Sequence, residues 1–169
     1  MVGCDDRNDD GSMTHSERRS HWQNVYLNKG EQQVSWTQFD PQPSLGLIEK
    51  FADGRSASIV DIGGGASRLV DALLAHGFAA ITVLDLSEAA LQSARARLGE
   101  QGASVQWIAA DVTAWQPPQA FDIWHDRAAF HFLVDAGDRA AYIERLHDGV
   151  KPGGHAIIAT FAADGPEKC

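Results

Sequence analysis

The chain has 169 residues, 44% hydrophobic and 22% charged, which is the make-up of one ordinary globular domain with its own core. A formal net charge of -9 argues against a surface built for phosphate backbones, so no nucleic-acid partner is expected, although Arg18, Arg19 and Lys29 could still form a local basic patch. No apolar run approaches the roughly 20 residues that span a bilayer. The acidic start lacks the basic and apolar regions of a signal peptide, which predicts a cytoplasmic protein with no membrane partner.

Residues 1–14 read as a disordered tail, or a leader ahead of a native Met13. Cys4 and Cys169 lie at the two ends without metal or disulfide spacing, so no metal site is expected. Residues 15–55 read as an N-terminal helical cover. Trp22, Val25 and Tyr26 recur at helical spacing, and Gly30 stops that helix. Val34–Phe39, with Trp36, is short and without a clear period. Asp40-Pro41 opens a second helix, Pro43 to about Ala52.

Residues 56–169 read as one sheet domain that folds as a unit with the cover. Ser58–Asp61 is the first strand, followed by Gly63-Gly-Gly65 and a helix from about Ser67 to His76. Ala80–Asp85 is the second strand, and Ser87 caps a helix running to about Leu98. Val105–Ala110 is the third strand, ending before Asp111. Phe121–His125 is the fourth. A helix from Asp138 to Val150 ends at Lys151-Pro-Gly-Gly154, and His155–Phe161 is the fifth strand. Strands alternating with helices predict a three-layer α/β/α, Rossmann-like domain, with a mostly parallel sheet in the order 3-2-1-4-5. Such sheets bind ligands beyond the carboxyl ends of their strands.

A glycine turn after the first strand fits several nucleotide cofactors. Counted from Gly63, the sixth position of the dinucleotide fingerprint is Arg68 rather than glycine. Acids instead follow three consecutive strands: Asp61, Asp85 and Asp111. Asp85 lies 22 positions past Gly63, where an acid can accept hydrogen bonds from ribose hydroxyls. Taken singly, Asp85 also reads as a helix cap and Asp111 as a turn residue.

Val60-Asp-Ile-Gly-Gly-Gly-Ala-Ser67, Val83-Leu-Asp-Leu-Ser87, Ala110-Asp-Val112, Phe121-Asp-Ile-Trp-His-Asp126 and Lys151-Pro-Gly-Gly154 resemble the ordered motifs of class I S-adenosylmethionine (SAM)-dependent methyltransferases. The resemblance implies SAM as cofactor. Asp61, Gly63, Gly64 and Gly65 would hold the methionine end, Asp85 the ribose, Leu86 the adenine face, Asp111 the adenine amino group and Val112 the ring edge. The N-terminal Trp22…Tyr26 and Ser35-Trp-Thr-Gln38 resemble a small subgroup of the same class, which would add Trp36 to the cofactor site. The implied activity is transfer of the SAM methyl group to a small molecule or a protein side chain by in-line displacement.

Asp126, Arg127, His131 and His125 are the candidate acceptor-side residues, either orienting the acceptor or taking its proton. Asp126-Arg127 also resembles thiopurine- and tellurite-type methyltransferases, whose acceptors are small and soft. A truncated, non-catalytic SAM-binding module is the alternative, and an NAD(P)-dependent oxidoreductase is a weaker one. The family sheet ordinarily carries two further strands. The chain is then a fragment, a partner supplies the edge, or the fold does without it, and an open edge of this kind invites a homodimer.

Overall fold

The computed structural model describes residues 15–28, 40–127 and 129–160. The expected tail at 1–14, the Gly30 stop, the Val34–Phe39 stretch with Trp36, and Phe161 lie outside the described residues. The elements are α1 (His15–Asn28), α2 (Ser44–Phe51), β1 (Ile59–Ile62), α3 (Leu69–Ala75), β2 (Ile81–Asp85), α4 (Glu88–Leu98), β3 (Gln106–Ala109), β4 (Phe121–Arg127), α5 (Ala136–Gly149) and β5 (Val150–Ala159). Short 3-10 turns follow α4 and β4. No helix among the described residues is long and apolar enough to cross a membrane.

The five strands form one sheet in the order β3-β2-β1-β4-β5, and all four pairings are parallel. This is the expected Rossmann-like order. Because strand side chains alternate between faces, each strand divides its residues between two cores. Ile59, Ile81, Val83 and Ile123 pack with Leu45 and Ile48 of α2, Leu69, Val70 and Leu73 of α3, and Leu91 of α4. Val60, Ile62, Leu84 and Trp124 face Tyr142 and Leu146 of α5, together with Trp115. Ser87 caps α4 as expected, its hydroxyl accepting from Ala90 N at 3.2 Å.

The largest departure from expectation lies at the end of α5. Lys151-Pro-Gly-Gly154 falls inside β5 rather than in the connection before it. α5 stops at Gly149, where an added Cβ would lie 2.5 Å from the Trp124 ring. Val150 pairs at once with Phe121, and the register shifts before His155 meets Ile123. The strand thus bulges around the Pro-Gly-Gly run, the kind of place in a sheet where proline is tolerated. β4 is also longer than expected, running on past His125 to Arg127.

A buried polar chain joins β4 to α5. Trp124 Nε1 donates to the Tyr142 hydroxyl at 3.0 Å, and that hydroxyl donates to Asp126 Oδ2 at 2.6 Å. Burial pushes the Asp126 carboxyl up to about 6, and the bond from Tyr142 opposes the shift. Tyr142→Phe leaves a buried indole N–H without its acceptor and takes one donor from Asp126. The expected loss is about 1–3 kcal/mol of unfolding free energy, read as a lower urea midpoint with unchanged slope.

Candidate active site

β1 runs into a turn in which Gly63 and Gly65 adopt left-handed backbone angles, φ +67° and +38°. Gly63 N and Gly64 N both donate to Leu84 O, at 2.8 and 3.3 Å, which fastens the turn to β2. Space forbids side chains here as firmly as backbone geometry does. A Cβ on Gly64 would lie 2.5 Å from Asp61 Oδ2, and one on Gly65 2.6 Å from Asp85 Oδ2. The turn rests on two carboxylates. Arg97 of α4 locks the segment beyond it, binding both oxygens of Asp71 at 2.9 and 2.8 Å and the carbonyls of Ala66 and Ser67 at 3.2 and 2.8 Å.

Asp85 ends β2 almost fully buried, with Oδ1 accepting from Ser87 N at 2.7 Å. Burial pushes its carboxyl up to about 7; the Ser87 bond opposes the shift and the nearby Asp61 charge adds to it. Past β3, Asp111 Oδ1 accepts from Thr113 N at 3.0 Å and from its hydroxyl at 2.7 Å, while Oδ2 faces Arg18 Nη2 at 3.5 Å.

α1 roofs these strand ends. Arg18, Trp22 and Tyr26 recur every four residues and so share one helix face. Arg18 Nη1 also binds Asp138 Oδ2 at 2.6 Å, and Gln23 Oε1 accepts from Ser87 Oγ at 3.2 Å and Ala89 N at 3.3 Å. The Trp22 ring meets Phe132 edge-on at 4.9 Å. Between roof and strands lies a cleft that is partly open to solvent and lined mainly by apolar side chains.

Of the expected cofactor residues, Gly63, Asp85, Leu86, Asp111 and Val112 line this cleft. Asp61, Gly64 and Gly65 form the layer beneath it. Of the expected acceptor-side residues, Arg127 lines the cleft beside Phe132. His125 and Asp126 are turned into the body of the fold: His125 sits between Asp61 and Ser44, and Asp126 accepts from Ala129 N at 2.8 Å and Phe130 N at 3.1 Å. His131 is exposed on the following 3-10 turn, with its ring edge-on to Phe132 at 5.6 Å. Sequence reasoning did not single out Gln23, Ser44 or Arg97, and it read Arg18 only as part of a basic patch. Their partners lie 26 to 120 positions away, and only the four-residue spacing of Arg18, Trp22 and Tyr26 offered a signal.

Residues 59–154 match a family described as a methyltransferase domain. The ubiquinone biosynthesis O-methyltransferase of Idiomarina loihiensis is 32% identical over 120 residues, which is 69% of this chain and 48% of that protein. The trans-aconitate 2-methyltransferase of Paracidovorax citrulli is 32% identical over 121 residues, 69% of this chain and 44% of that one. A solved S-adenosylmethionine-dependent methyltransferase from Mesorhizobium loti has a TM-score of 0.58 at 28% identity, covering 70% of this chain and 52% of its own. The chain thus spans about half the length of the curated relatives it matches.

Asp85 carries a pH signature. Its folded value of about 7 lies above the ordinary 3.8, so its stabilising contribution is complete below the lower value and is lost as pH rises through the higher one. Asp85→Asn removes that component. Urea midpoints taken from about pH 4.5 to about pH 7.5 should therefore fall less steeply in the variant than in the parent chain.

Proposed function

The chain belongs to the methyltransferase-domain family, within the class I SAM-dependent methyltransferases, and on that premise we propose that its cleft binds SAM and transfers the methyl group to a small molecule or a protein side chain. The observation that carries the reading is the glycine turn seated on the Asp61 and Asp85 carboxylates at the open ends of the β3-β2-β1-β4-β5 sheet. The residues present fit the cofactor. The absence of Cβ atoms lets the turn lie directly on the two carboxylates, with Gly63 at the cleft wall where the amino-acid end would lie. Asp85 offers a carboxylate to ribose hydroxyls, Leu86 and Val112 offer apolar surface to a purine, and Asp111 offers an acceptor to its amino group. When bound, the cofactor supplies a methyl group on a cationic sulfur, open to in-line displacement by an acceptor lone pair.

The chain's own contribution is alignment and exclusion of water. Holding two reactants in line is worth on the order of 7–11 kcal/mol of barrier at best. Trp22, Tyr26 and Phe132 form an aromatic wall suited to a cationic sulfonium, and Arg127 is the group we assign to orienting the acceptor. An amine acceptor must also lose a proton, and His131 beside Phe132 is the candidate to take it; a thiolate or metalloid acceptor needs no such base. We further propose a cytoplasmic setting, and a second strand or a second copy of the chain along β5, which among the described residues pairs with β4 alone.

Calorimetry with S-adenosylhomocysteine, the demethylated product, tests the cofactor assignment. Binding should strengthen as pH rises through about 7, because ribose hydroxyls donate to the ionised form of Asp85. Asp85→Ala should weaken binding by about 1–3 kcal/mol and flatten that dependence, and unchanged affinity would remove the ribose assignment. Transfer of radiolabelled methyl from SAM into lysate, split into protein and small-molecule fractions, then identifies the acceptor class. Binding without transfer to either fraction selects the non-catalytic module instead.

A further inference from the structure

Beneath the glycine turn lies a second polar chain that the proposed function has not used. β1 and β4 pair Asp61 with His125, and both side chains point to the face covered by α2. His125 Nδ1 is 2.7 Å from Asp61 Oδ1, and Nε2 is 2.9 Å from Ser44 Oγ at the start of α2. All three are buried, with 3%, 2% and 6% of Asp61, His125 and Ser44 exposed. This is the order of groups found in an acyl-transfer triad, but Ser44 is not placed as a nucleophile. The backbone donors that would have to stabilise an oxyanion are already engaged: Leu45 N binds Pro41 O at 3.1 Å and Gly46 N binds Gln42 Oε1 at 3.2 Å.

What the chain does hold in place is a carboxylate. A carboxylate only accepts, so Nδ1 donates to Asp61 Oδ1, while Ser44 Oγ engages the other ring nitrogen and holds the imidazole in that orientation. The other oxygen, Oδ2, is the atom that a Cβ on Gly64 would meet at 2.5 Å. We propose that His125, itself oriented by Ser44, is a positioning residue that fixes the Asp61 carboxylate under the glycine turn and so sets the turn's affinity for the ammonium-bearing amino-acid end of the cofactor. The inference rests on the reading that this turn holds that end. A charge fixed in a dry layer acts more strongly on a cation above it than one exposed to water. Without the Nδ1 donor the buried carboxylate loses the partner that orients it beneath the turn.

Two probes separate positioning from general support of the fold: S-adenosylhomocysteine, which has the amino-acid end, and adenosine, which lacks it. Calorimetry on the chain should show that His125→Leu weakens the first by roughly tenfold or more and changes the second by less than about twofold. His125→Asn keeps an N–H on the Asp61 side and should restore affinity for S-adenosylhomocysteine to within about threefold of the parent. Ser44→Ala should cost about two- to threefold, again for S-adenosylhomocysteine alone, and it decides the matter if His125→Leu does not fold. Equal losses for both probes, or no loss for S-adenosylhomocysteine, would overturn the proposal. A parent chain that binds neither probe would instead overturn the cofactor reading itself.

Discussion

Everything at the open end of this sheet depends on two carboxylates being buried side by side under a turn without side chains. Asp61 and Asp85 end adjacent strands, and the space that Cβ atoms would fill at Gly64 and Gly65 holds their oxygens instead. Two like charges in a dry layer repel, and the fold settles them by different means. Asp61 receives a proton donor from His125. Asp85 receives the Ser87 backbone N–H at the start of α4, and its carboxyl sits at about 7, partly because Asp61 is near. The result is one carboxylate held beneath the turn and one at the cleft wall.

The same economy of partners governs the roof. α1 is tied to the body at Asp111 and Asp138 through Arg18, and at Ser87 and Ala89 through Gln23. Asp111 also lines the cleft, and Ser87 holds Asp85. The groups that fasten the roof are therefore the groups, or the direct neighbours of the groups, assigned to the ligand. Arg18 and Gln23 thus tie α1 to residues that line or directly support the cleft.

Most of the framework was legible in the sequence because it is written locally. Hydrophobic runs ended by Asp61, Asp85 and Asp111 marked the strands and the site's edge, the alternation with helices indicated the parallel sheet, and Ser87 announced its own cap. What stayed hidden was long-range or depended on a boundary. Arg97 meets Asp71 and the Ala66 and Ser67 carbonyls across at least 26 positions, and nothing in α4 distinguishes it from Arg95. Ending the fourth strand at His125 made residues 125 to 132 look like one converging loop. The strand in fact continues to Arg127, and a period of two then sends His125 and Asp126 to opposite faces, one toward α2 and the other toward α5. The Pro-Gly-Gly run misled for the related reason that an edge strand can absorb it in a bulge.

That alternation bears on the chemistry as much as on the fold. Of the four titratable residues grouped by sequence after Trp124, His125 is engaged in holding Asp61, and Asp126 caps the following turn and anchors Tyr142. Arg127 is the one of the four that lines the cleft wall, where Trp22, Tyr26 and Phe132 supply flat apolar surface. The polar side chains of His125 and Asp126 are thus engaged inside the fold, one beneath the glycine turn and one against α5, while Arg127 and the three rings line the cleft.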